Sequence, residues 1–138
     1  MSDKRVIVYS LEQARAAIET GAGLGMPVTL MSARGMASFM GPLWFKALTE
    51  EAAVNHPEIV VTAVLDCAEE VGTVLAALRA GFKLVRFSGP EEARARLDDI
   101  ARQMDATVEG AIAFDRLDLL DCTDTSPICR TFLKRDRS

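Results

Sequence analysis

Residues 58–88, EIVVTAVLDCAEEVGTVLAALRAGFKLVRFS, hold a strand, a turn, a helix, a glycine stop and a second strand. The first strand, 59–65, is an almost unbroken apolar run, the pattern of a strand covered on both faces in a parallel sheet. The helix carries Val71, Leu75 and Leu78 at i, i+4 and i+7, and Gly81 stands where a helix stops. Residues 83–88 form the next strand. Two parallel strands joined through a helix make a βαβ unit, whose crossover is right-handed in nearly all proteins. A chain built round such a unit is committed to a parallel sheet with helices packed on it.

The same alternation runs to either side. Residues 5–9, RVIVY, read as a strand. Ser10 can cap a helix over 11–20, with Gln13 at the capping-box position and Leu11, Ala14, Ala17 and Ile18 on one face. GAGLG, 21–25, follows a helix and precedes a strand, the reverse of the dinucleotide-binding order, so it reads as a flexible helix stop. Residues 27–32 are a second strand, 33–42 a loop, and 43–55 a helix with Leu43, Ala47 and Val54 near one face and Leu48 beside it. His56-Pro57 closes that unit. Beyond the central unit, Pro90 opens a helix over 91–104 that buries Ala93, Leu97, Ile100, Ala101 and Met104. Residues 107–114 are a fifth strand, weakened by Gly110.

This order predicts a three-layer α/β fold over 1–120: one domain with an open, mostly parallel, five-stranded sheet. The arrangement expected is flavodoxin-like, in the order 2-1-3-4-5. The alternative is a half-barrel, which would have to dimerise to close its sheet edges. Residues 121–138 read as a polar, loosely held tail.

Totals exclude several classes. A chain of 138 residues can bury a core without disulfides or metal. Its net charge of −4 argues against a nucleic-acid surface, which needs a basic face. No apolar run is long enough to span a membrane, and MSDKRVIVYS lacks the apolar core of a signal peptide. Three scattered cysteines fit a reducing compartment, so a cytoplasmic location is expected. One histidine and three cysteines do not make a closed zinc site; no metal and no cofactor are implied.

Ligands of open α/β sheets lie beyond the carboxyl ends of the strands. Those ends bring forward Ser10, Ser32, Arg34, Asp66, Cys67 and Ser88. Ser10, Ser32, Arg34 and Ser88 are candidates for holding a small anionic or polar ligand, and Asp66 and Cys67 for catalysis. The competing reading makes the serines and Asp66 helix caps and Cys67 a buried structural thiol. His56 precedes the same strand that Cys67 follows, so no Cys-His pair is expected. Cys122 and Cys129 lie in the tail. Met36, Phe39, Met40, Trp44 and Phe45 form a separate group, five large apolar side chains within ten residues. They are expected to form a contact surface for a second copy, giving a homodimer.

Residues 61–103 resemble the C-terminal part of response-regulator receiver domains, through Ala77-Leu78-Arg79-Ala80-Gly81 and Pro90-Glu91-Glu92. The acidic pair of receivers is absent, since Tyr9-Ser10-Leu11 stands after the first strand, so the resemblance implies a fold and not phosphorylation. The same unit is similar to βα steps of aldolase-type barrels, with Leu65-Asp66 at a strand end and Gly81-Phe82 after an alanine-rich helix. The metal-binding histidines of metal-dependent aldolases do not follow Asp66. The function expected is a non-enzymatic binding or regulatory module that self-associates. The alternatives are a small enzyme using Asp66 and Cys67, or a small anion-binding protein.

Overall fold

The computed structural model describes residues 3–135. In chain order the elements are β1 (Lys4–Ile7), α1 (Leu11–Leu24), β2 (Val28–Met31), α2 (Met36–Met40), α3 (Pro42–Ala53) and β3 (Val61–Asp66). There follow α4 (Val71–Ala80), β4 (Leu84–Arg86), α5 (Glu91–Arg102), β5 (Thr107–Glu109), β6 (Asp115–Asp118) and α6 (Thr125–Lys134). The strands form a six-stranded sheet in the order β5-β4-β3-β2-β1-β6. The pairs β1–β2, β1–β6, β3–β4 and β4–β5 are parallel.

The α/β class and the parallel pairing are as expected. The strand order and number are not. Strands β1 to β5 are neighbours in sequence order, so no switch point separates β1 from β3 as the order 2-1-3-4-5 requires. The sixth strand comes from the stretch read as one strand over 107–114. Ladder pairing stops at Glu109, Ile112 is 48% exposed, and the chain re-enters the sheet at Asp115, whose N–H donates to the Asp3 carbonyl at 2.9 Å.

Contacts divide the chain into two compact units. The first comprises Met1–Met31, Leu48–Thr62 and Phe114–Ser138; the second comprises Ser32–Ala47 and Ala63–Ala113.

In the first unit Val6, Ile7, Val28 and Leu30 of the strands are buried with Ala14, Ala17 and Ile18 of α1, the face that helical spacing predicts. Helix α1 runs through Gly21 and Gly23 to Leu24, longer than the 11–20 expected, and stops at Gly25. Gly21 is needed there, because a Cβ on it would stand 2.2 Å from Val28 Cγ2. Residues 125–134 of the expected loose tail are helix α6, with Cys129, Phe132 and Leu133 buried at i, i+3 and i+4. Helix α6 packs on α1. Residues 136–138 of that tail lie outside the described residues.

In the second unit Val74, Ala77 and Leu78 of α4 and Leu97 and Ala101 of α5 are buried with Val64, Leu65, Val85 and Val108 of the strands. Gly81 ends α4 at φ 99°, a left-handed conformation that favours glycine. Ile100 and Met104, expected in the core, are 41% and 38% exposed. In α3 the buried residue of this unit is Phe45, whose ring stacks on Phe82 with centroids 6.4 Å apart. Leu43 and Val54, two of the three residues that spacing sets near one face of the helix expected over 43–55, are 69% and 62% exposed.

Candidate functional site

The second unit brings Ser32, Arg34, Asp66, Cys67 and Ser88 into one connected cluster at the carboxyl ends of its strands. Asp66 is the last residue of β3 and 5% exposed. Its main-chain N–H donates to Ser32 Oγ at 2.9 Å. Its Oδ1 accepts the N–H of Ala68 at 2.9 Å, bending the chain into a turn that puts Ala68 at φ 52°. The Ala68 carbonyl in turn accepts the N–H of Ser88 at 2.7 Å. Asp66 is thus a turn-former and not the cap of α4, which begins five residues later.

At the mouth of the cluster, the exposed Arg34 donates from Nη1 to Ser88 Oγ at 3.1 Å and faces Glu69 Oε2 at 3.5 Å. Cys67 is fully buried, and its thiol is pushed up to about 12 by burial, with a further push from the charge of Asp66. A thiol held protonated there is not a nucleophile at neutral pH. Of the two catalytic candidates, Asp66 keeps that candidacy.

Sequence spacing alone missed the rest of the site. The ladder register sets Asp66 of β3 opposite Arg86 of β4, and Arg86 opposite Glu109 of β5. Residues in register on neighbouring strands present their side chains to the same face. The row is therefore acid, base, acid, and it is largely buried: Glu109 is 8% exposed, and Arg86 Nη1 donates to Glu109 Oε2 at 3.2 Å. Asp66 Oδ2 accepts no hydrogen bond and joins no ion pair among the described residues. No group of three metal-ligating side chains occurs among them either.

Ser10 belongs to the first unit and is a cap. Its Oγ accepts the Gln13 N–H at 3.2 Å, and Gln13 Oε1 accepts the Tyr9 N–H at 2.8 Å. The expected contact surface is also altered. Phe45 is fully buried, Met36 and Trp44 are half-buried, and only Phe39, at 89% exposed, and Met40, at 51%, stand open.

No family model and no curated protein matches the chain. Solved structures do. The "putative fructose-1,6-biphosphate aldolase" of Coccidioides immitis superposes with a TM-score of 0.66 at 16% identity, over 79% of this chain and 40% of that one. The YdjI aldolase of Escherichia coli K12 gives 0.63 at 16% identity, over 79% and 45%. The likeness is one of fold, and the chain spans less than half the length of either neighbour. It overturns the reading as a non-enzymatic module: the neighbours with this fold are enzymes, and the enzyme alternative is the one carried forward. No helix among the described residues is long and apolar enough to cross a membrane.

Proposed function

We propose that the chain is a small enzyme whose active site is the carboxyl-edge cluster of the second unit, with Asp66 as the proton-transferring group. The observation that carries this reading is Asp66: the residue is 5% exposed, one carboxylate oxygen is held in a turn, and the other has no protein donor among the described residues. A buried carboxylate oxygen without a donor is costly unless something else uses it. The cation opposite it in the register, Arg86, is paired with Glu109. Arg34 and Ser88 supply an N–H fork and a hydroxyl suited to an anionic oxygen group of the substrate.

The consecutive order of β1 to β5 and the aldolase neighbours favour one reaction class: removal or return of a proton beside a carbonyl in a small, anionic hydroxy-carbonyl compound. In that reaction Asp66 takes the proton from carbon, and Arg34 and Ser88 fix the anionic end of the substrate.

The test is solvent-deuterium exchange followed by NMR, with fructose 1,6-bisphosphate and a set of short hydroxy-ketone and hydroxy-aldehyde phosphates. Wild type is expected to exchange the proton beside the carbonyl of at least one compound. Asp66→Asn should slow that exchange by about 100-fold or more. Exchange by the variant at the wild-type rate, or none by wild type with any compound, would remove the proposal.

A further inference from the structure

We propose that the open edge of β6, in the first unit, binds an extended segment of a partner protein in which acidic and apolar side chains alternate. The argument starts from the backbone. Among the described residues β6 is the end strand of the sheet and pairs only with β1. The N–H groups of Asp115 and Leu119 donate to the carbonyls of Asp3 and Ile7, at 2.9 and 3.0 Å. In a parallel strand successive residues direct their main-chain groups to opposite sides. Arg116 and Asp118 therefore direct theirs away from β1, and both residues are exposed. Such an edge accepts a further strand.

The surroundings specify what that strand carries. Beside the edge lies a hollow of about 390 Å³, with Leu117, Ile128 and Phe132 as its apolar part and Arg116 and Arg135 at its border. A second hollow of about 470 Å³ shares Arg135 and adds Arg130 and Lys134. Four cations thus border two adjoining hollows. Arg135 lies 3.6 Å from Asp115, and Arg116 lies over the Phe114 ring at 4.6 Å. Arg130 and Lys134 have no acidic partner among the described residues. An added strand places alternate side chains on opposite faces, so acids can meet the cations while apolar residues fill the floor. A free anion would leave the apolar floor and the main-chain groups of Arg116 and Asp118 unused. The net charge of −4 does not suit a nucleic acid.

The measurement is fluorescence anisotropy on the full chain with a short labelled peptide of alternating Glu and Val. Three competitors accompany it: the same composition in two blocks, the alternating peptide N-methylated on alternate amides, and a single-stranded oligonucleotide. The alternating peptide is expected to bind, to weaken as salt is raised, and to lose about tenfold or more in affinity with Arg116→Glu. Lys134→Glu, on the exposed face of α6, should act in the same direction. It carries the test should circular dichroism show that Arg116→Glu does not fold. Absence of binding by folded wild type, equal binding of the blocked or N-methylated peptide, equal binding of the oligonucleotide, or indifference to charge reversal would each overturn the proposal. Because no residue of the Asp66 cluster takes part, the exchange assay with the phosphates is expected to be unchanged by Lys134→Glu.

Discussion

Ser32 holds Asp66 by its main chain: the hydroxyl of the one, fully buried, accepts the N–H of the other at 2.9 Å. The bond does not involve the Asp66 carboxylate, which accepts the Ala68 N–H in the turn. Ser32→Ala removes the only partner that the Asp66 N–H has among the described residues, in a place water does not reach. A buried donor left unsatisfied costs about 1–3 kcal/mol. The urea midpoint is expected to fall accordingly, and deuterium exchange of the substrate should slow with it, since the carboxylate loses its anchor. An unchanged midpoint would show that the hydroxyl is dispensable.

The buried thiol of Cys67 gives stability a pH dependence on the alkaline side. Its folded-state value, about 12, stands above the ordinary 9, so the unfolded chain releases its proton first. The contribution is fully present below pH 9 and is lost as pH rises from 9 toward 12. Cys129, pushed up to about 11 by burial, and Tyr9, pushed up to about 12 by burial and by its hydrogen bond to Asp118, act in the same direction. Denaturation midpoints measured across that range should decline for wild type and decline less steeply for Cys67→Ala. At neutral pH Cys67 should resist a thiol reagent until the protein is unfolded.

Two glycines of one helix should respond with opposite signs. A methyl group at Gly21 meets Val28 Cγ2 at 2.2 Å, so Gly21→Ala forces apart α1 and β2 and costs about 1–3 kcal/mol. At Gly23 nothing lies within 4 Å, and alanine there is expected to add about 0.5–1 kcal/mol through helix propensity alone. Thermal melts of the two variants, side by side, decide it.

Periodicity reveals elements better than it reveals neighbours. Ala14, Ala17 and Ile18 in α1, and Leu97 and Ala101 in α5, are buried as their spacing indicates. Strand order was not legible, because a right-handed crossover satisfies the same pattern whether β2 or β3 lies beside β1. In α3 two stripes compete. Leu43, Ala47 and Val54 are as apolar as Phe45, Leu48 and Ala52, and only packing partners such as Phe82 select the second. Helix α6 did carry a signal, in the spacing of Cys129, Phe132 and Leu133, but ten residues among polar ones gave it little weight. At the candidate site, the position of Asp66 at a strand end was legible. The row of Arg86 and Glu109 was not, because it exists only once the register is known and the pattern over 107–114 is that of one continuous strand.

Arg5 offers a substitution whose outcome runs against chemical similarity. Its side chain is 1% exposed, and its Nε and Nη2 donate to Asp3 Oδ2 at 3.0 and 2.7 Å. Its guanidinium lies over the Phe114 ring at 4.5 Å and approaches Met31 Sδ at 3.7 Å. A planar, weakly hydrated cation suits that sandwich; an ammonium does not, since it is compact, strongly hydrated and cannot donate as a fork. Arg5→Lys keeps the buried charge and loses the fork and the stacking, at an expected cost of about 2–4 kcal/mol. Arg5→Met removes the charge altogether. It leaves behind Asp3, whose side chain is 43% exposed and can turn to water, while the thioether fills much of the space between Phe114 and Met31. That variant should lie within about 1–1.5 kcal/mol of wild type, because an apolar side chain carries no ion whose burial must be offset. Guanidinium denaturation of the two variants should therefore place methionine above lysine in stability. The reverse ranking would mean that the positive charge itself, rather than its shape, holds β1 in place.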